Sequence, residues 1–268
     1  MDIIQRNFMR LLRQGAFGKT YNKNDAIEPM SAWKWNKLYE ISQIHGVTPW
    51  IRDGIKRNED DFFLQISSEL RSQFETDRTN TNEELPTQEL TNPILNKRLQ
   101  QIIATTDAQS PTLELLLRLI QIARNILTQG ISLRQLIMLG TQLRIHEDTL
   151  DNELLKGWIN QLNMETMVKL EGSLLIELFM FRPEEYHFVN ITVNKSVKRA
   201  VRDIFLLTEK KAADWYFTQG KSIFVRTSDS DAMMWHVKQS TKYMHYYPAE
   251  AFTNFVRNFT HSLSHIEE

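Results

Sequence analysis

Leu113, Leu116, Leu117, Ile120, Ala123 and Leu127 recur at three- and four-residue intervals, and Leu115, Leu119, Ile122 and Ile126 follow a second line of the same helix. A helix apolar over so much of its circumference belongs inside a bundle. Gly130 then offers a residue able to enter the left-handed region just past a helix end. Ser132 and Gln135 stand at capping-box spacing, with Ile131 and Leu136 at the positions of a hydrophobic staple. The pattern predicts two helices over 112–145 joined by a turn of about three residues, which makes them antiparallel neighbours. Leu133, Leu136, Ile137 and Leu143 are the expected core of the second helix, with Gly140 on the same face.

Upstream, Phe8, Leu11 and Leu12 predict a short helix ending near Gly15, with GAFGK as a loop. The Gly15-to-Gly18 spacing is too short for a phosphate loop, which also needs a preceding strand. Ser31 is placed to cap a helix carrying Trp33, Leu38, Ile41 and Ile44, stopped by Gly46, and Pro49 opens the next. Phe62, Phe63, Ile66, Leu70 and Phe74 predict one amphipathic helix over 60–76. Residues 77–93, DRTNTNEELPTQELTNP, are nearly empty of large apolar groups and read as a linker.

Downstream, Asp151 is placed to cap a helix bearing Leu154, Leu155, Trp158, Ile159 and Leu162, ended by Asn163. Met167, Leu170, Leu174, Leu175, Leu178 and Phe179 form the next helical face, before Pro183. YHFVNITV, 186–193, is the best strand candidate, with 222–226 a possible mate. Val197, Ala200, Val201, Ile204 and Phe205 return to helical spacing, and Phe252, Phe255, Val256 and Phe259 line one face of a closing helix. The expected fold is therefore mainly α: a multi-helix bundle around a central antiparallel hairpin, with at most a short β-hairpin around 186–193 and 222–226. The expected parts are 1–76, a linker at 77–93, and 94–268 packed with 1–76 as one unit.

Composition narrows the chemistry. With no cysteine among 268 residues there is no disulfide, thiolate metal site or cysteine nucleophile. Lys plus Arg number 32 against 33 for Asp plus Glu, so the overall field gives no drive toward nucleic acid. The N-terminus intersperses charge among its apolar residues, unlike a secretory signal, and no segment reaches transmembrane length. A cytoplasmic location is the expectation.

Three stretches carry a resemblance. NFMRLLRQGAFGK with WKWNKLYEISQIHGVTPWIRDGI, then GISLRQL leading to RPEE, and finally KYMHYYPAEAFTNFVRNF are similar, in order, to uncharacterised bacterial nucleotidyltransferase-like proteins of the Bacteroidetes type. The resemblance implies a polymerase-β-like catalytic module, with metal-holding carboxylates, between the opening helices and the central hairpin. Only residues 77–111 occupy that place here. They contain no alternating strand and no Asp-x-Asp pair, only scattered Asp77, Glu83, Glu84, Glu89 and Asp107. A domain normally needs about 50 residues or more, so the module is expected to be missing. At the positions where the family carries hairpin histidines and an aspartate, this chain has Gln121, Asn125 and Met138; Arg134 and Gln135 match its Arg-Gln pair.

The residue-level candidates are few. Arg134 is a candidate ligand or partner contact, while Gln135 is accounted for by the cap. Asp229-Ser230-Asp231 is the only Asp-x-Asp after a strand-like run, though Asp231 also suits a helix N-cap. His261 and His265 are four apart but have no third ligand nearby. Tyr243, Tyr246 and Tyr247, with the C-terminal phenylalanines and Lys238, Lys242 and Arg257, suggest a basic aromatic surface, against which the helical spacing favours core. The leading expectation is a non-catalytic helical protein binding a protein or small-molecule partner, with no cofactor, no metal and no nucleic acid. The alternative is an active nucleotidyltransferase using Mg2+ and a nucleoside triphosphate, with ligands recruited from Asp229, Asp231 or 77–111.

Overall fold

The computed structural model describes residues 1–18, 26–77, 87–191, 197–205 and 241–264. Among these all regular structure is helical, with no strand. The chain divides into two units, Met1–Glu83 with Val201–Ser222, and Glu84–Ala200 with Ile223–Glu268.

In the first unit, α1 (Ile3–Phe17) opens on a capping box. The Asp2 carboxylate accepts from Gln5 N–H at 2.8 Å, while Asp2 N–H donates to the Gln5 side chain at 3.2 Å. The helix does not stop at Gly15. It continues to Phe17 and ends at Gly18, whose φ is +87°. Gly15 instead lies where α1 crosses α3 (Thr48–Arg57). A Cβ there would overlap the Trp50 carbonyl and come within 2.9 Å of Gly54 N. Gly54 is the reciprocal element, since its Cβ would lie 2.8 Å from the Leu11 carbonyl carbon. Two glycines at matched positions let the two backbones touch.

α2 (Ala32–Ile44) places Ser31 at its N-cap without a side-chain cap bond. Trp35, Leu38 and Ile41 are buried, whereas Trp33 is 69 % exposed, so the core tryptophan is Trp35 and not the expected Trp33. α4 covers only Ser68–Thr76. The single helix expected over 60–76 is interrupted because Asp61 accepts from Phe63 N–H at 2.9 Å, forming a turn, and Ser67 caps the restart. Phe62 is consequently 78 % exposed, with its ring edge-on to Phe63.

An ionic cluster ties α1 to the segment before α2. Glu28 accepts from Arg6 at 2.8 and 2.7 Å through both oxygens, and from Arg10 at 2.6 Å. The buried Asn7 side chain bonds both the N–H and the C=O of Glu28. These cations hold the Glu28 carboxyl down to about 2, the Arg6 hydrogen bond contributing most. Asp77, at the end of α4, accepts from the Tyr39 hydroxyl at 3.1 Å, and burial together with this bond pushes the phenol up to about 12.

The second unit contains α5 (Pro93–Thr105), α6 (Pro111–Thr128), α7 (Leu133–Ile145), α8 (Asn152–Gln161), α9 (Glu165–Phe179) and α10 (Pro248–Ser264). α6 packs on α7, α8 and α9, and thirteen of its eighteen residues are buried, as its pattern predicts. Gly130 has φ +102° and its N–H donates to the Asn125 carbonyl, closing the helix. Asp151 caps α8 through Leu154 N–H at 2.9 Å, and Asn163 enters the left-handed region at φ +54° beyond it. Leu154 itself is exposed, the buried stripe being Leu155, Trp158 and Ile159.

Residues 186–191 form no strand. Tyr186, Phe188 and Val189 are buried, and Tyr186 rests over Gly172, where a Cβ would lie 3.0 Å from its ring. The alternation that resembles a strand serves ring packing on α9. Residues 192–193 and 222–226 lie outside the described residues.

α10 departs most from expectation. Among its described side chains, 248–257, the buried ones are Glu250, Ala251 and Asn254, while Phe252 is 59 % exposed, Val256 is exposed and Phe255 is half-buried; the Phe259 side chain lies outside the described residues. Glu250 decides this orientation. Its two carboxylate oxygens accept from the N–H groups of Thr91 and Asn92 at 2.7 and 2.9 Å, ahead of α5, and Arg124 stands 4.0 Å away. A carboxylate at a helix N-terminus satisfies free donors and complements the helix dipole. Tyr243, Tyr246 and Tyr247 are core residues rather than a surface, Tyr247 donating its hydroxyl hydrogen to the Leu162 carbonyl. No described helix is long and apolar enough to cross a membrane.

Candidate functional site

Most buried side chains of the hairpin α6–α7 are apolar, and three of its buried polar ones, Arg118, Gln121 and Gln142, lie along one seam. On α6, Arg118, Gln121 and Asn125 are spaced i, i+3, i+7, so they share a face. On α7, Gln135, Met138 and Gln142 repeat that spacing. The two rows meet: Arg118 Nε donates to Gln142 Oε1 at 3.0 Å, and Arg118 Nη1 stands 4.0 Å from the Met138 sulfur. Arg118, Gln121 and Gln142 are all buried. Glu114, one turn before Arg118 and half-exposed, approaches the guanidinium to 3.8 Å.

Two atoms of this seam lack protein partners. Gln142 uses its oxygen on Arg118, which fixes the amide orientation and leaves buried Nε2 without an acceptor. Gln135 Oε1 is also buried and unpartnered. Ser132 caps α7 through Gln135 N–H at 3.4 Å, but the reciprocal Gln135 bond of the expected capping box does not form. Its side chain is therefore not accounted for by the cap. An unsatisfied buried polar atom costs about 1–3 kcal/mol, so a seam holding two of them is a place where an external donor and acceptor would be stabilising.

Arg134 lies at the second position of α7, half-buried, one turn from Met138. Asp229 and Asp231 lie outside the described residues, as do the side chains of His261 and His265. Sequence reasoning missed Arg118 and Gln142. The available signal was a charged residue inside LLLRLIQ, where the surrounding periodicity puts it in the core. Gln121, Asn125 and Met138, picked out by the family resemblance, fall on the same seam. The seam supplies amide and guanidinium groups, not metal ligands, and among the described residues no three His, Asp or Glu side chains are grouped to hold a metal ion.

No family model matches the chain, and neither any curated protein nor any solved structure matches it significantly.

Proposed function

We propose that this chain is a non-catalytic, degenerate nucleotidyltransferase-like helical protein that binds a protein or small-molecule partner, with the α6–α7 seam and Arg134 as the contact region. The observation that carries the reading is the chemistry of the seam. It keeps buried hydrogen-bonding capacity, including unpartnered Gln142 Nε2 and Gln135 Oε1, but presents amides, a thioether and the Arg118 guanidinium rather than converging carboxylates. Two-metal phosphoryl transfer needs carboxylates converging on the reacting phosphate. In 77–111, Asp77 is bonded to Tyr39 and Gln43, and Asp107 accepts from Gln109 N–H. Asp107 thus serves a local turn, and Asp77 is engaged by two side chains of α2.

The test is thermal denaturation of the purified chain with a panel of nucleoside triphosphates, each with and without magnesium or manganese. A ligand confined to the folded state raises the melting temperature. The expected result is no metal-dependent shift with any nucleotide. A magnesium-dependent rise that vanishes in Asp231→Ala, with folding intact, would overturn this reading and favour the active nucleotidyltransferase instead.

A further inference from the structure

Glu171 sits in the middle of α9, fully buried, and neither of its carboxylate oxygens has a hydrogen-bond partner. Its own helix offers no donor, because mid-helix N–H groups are bonded to carbonyls one turn back. The neighbouring Ser173 hydroxyl donates to the Lys169 carbonyl at 2.6 Å. Across from α9, the Tyr186 hydroxyl is likewise buried and unpartnered, with its ring held against Gly172 and 5.1 Å from the Phe188 ring. Tyr247 is within electrostatic reach of the Glu171 carboxylate and uses its only hydrogen on Leu162.

The surroundings are rich in oxygen and poor in donors. On the 183–191 segment, Glu185 accepts from Arg144 of α7 at 3.0 Å, which occupies that cation. From α6, the buried Arg118 bonds across to α7. The buried positions of α8 are Leu155, Trp158 and Ile159, all apolar. Ahead of and on α10, Tyr247 and Glu250 face this core, and Glu250 is held by Thr91 and Asn92. Among the described residues, therefore, no cation balances Glu171.

We propose that Glu171, buried without a partner next to Gly172, on which the Tyr186 ring rests, is the anionic anchor of a binding site for a desolvated monovalent cation, either an alkali ion or the ammonium group of a small amine. One carboxylate balances one positive charge, and phenol oxygens and aromatic faces suit such an ion. A divalent ion would need more carboxylates than are grouped here. Without the cation, burial pushes the Glu171 carboxyl well up, so it holds a proton near neutrality. Cation uptake then releases that proton, one for one, and tightens about tenfold per pH unit while the free site is protonated.

The experiment uses the full chain. Melting temperatures are measured with potassium, sodium, ammonium or methylammonium chloride at about pH 6 and about pH 8, with N-methylglucamine chloride holding ionic strength constant. The expected result is a rise of about 5 °C with one probe, larger at the higher pH, and absent in Glu171→Gln. The probe that acts separates alkali ion from amine. No shift in the native chain, or equal shifts in native and variant, overturns the proposal. Should Glu171→Gln not fold, addition of the probes to unbuffered native protein decides. Release of about one proton per chain supports exchange at Glu171, and no release overturns it.

Discussion

Gly15→Ala is the substitution on which local and tertiary reasoning give opposite signs. In an ordinary helix interior, alanine in place of glycine stabilises by about 1 kcal/mol. Here the new Cβ would lie 2.7 Å from the Trp50 carbonyl carbon, and ordinary contact begins at 3.4 Å. The difference, 3.4 − 2.7 = 0.7 Å, is the least by which α1 and α3 must separate, and the carbonyl oxygen requires more. A gap of roughly that size forfeits a quarter to a half of each contact's dispersion energy. The two helices bury Phe8, Leu11, Leu12, Ile51 and Ile55, each worth about 1.5–3 kcal/mol on burial. Overpacking of this kind costs about 1–3 kcal/mol even where the core relaxes, and backbone relaxes less readily than side chains. The expected outcome is a net loss of about 2 kcal/mol or more, read as a lower urea midpoint with an unchanged slope. Gly54→Ala should behave alike, and the double variant should cost less than the sum, because one separation relieves both clashes. A Gly15→Ala chain more stable than the native one by the propensity value would refute the close crossing.

Three further outcomes follow from buried or paired charge. Glu28, held near 2 by Arg6 and Arg10, contributes stability that is present above its unfolded value near 4.5 and lost as pH falls toward 2. At face value that is roughly 3 kcal/mol, and solvent screening at a side chain 29 % exposed brings it nearer 1–2 kcal/mol. Glu28→Gln should erase this acid-limb dependence, and an unchanged limb would count against the cluster. Glu250→Ala leaves the N–H groups of Thr91 and Asn92 without their acceptor and should cost about 2–4 kcal/mol, with faster hydrogen exchange at the start of α5; unaltered exchange there would contradict the clasp. Gln142→Leu takes an acceptor from the buried Arg118 guanidinium and should cost about 3 kcal/mol, whereas Arg118→Met with Gln142→Leu should recover most of it. Additive losses in that cycle, measured by denaturant unfolding, would show that the seam is not coupled.

Local chemistry was legible without coordinates. The α6–α7 hairpin, its Gly130 termination, the Asp151 cap and the buried face of α9 depend on periodicity and on bonds spanning three or four residues, and such patterns are complete within a short stretch of sequence. Four features were decided only by what each segment meets in the folded chain. Gly15 reads as a helix stop until α3 is laid against it. The Asp61 turn breaks a pattern that looks continuous over 60–76. α10 turns Phe252 outward because Glu250 finds the N-terminus of α5, about 158 residues away in sequence, and buried hydrogen-bond satisfaction outweighs one phenylalanine. Tyr186 and Phe188 alternate like a strand yet have α9 beneath them, with no neighbouring strand among the described residues. Sequence alone determined that the chain is mainly helical and where most of its helices lie, because helix formation depends on neighbours three and four residues apart. Tertiary structure decided which face each helix buries and which polar groups lie together in its core, because those contacts join residues whose separation along the chain carries no local signal.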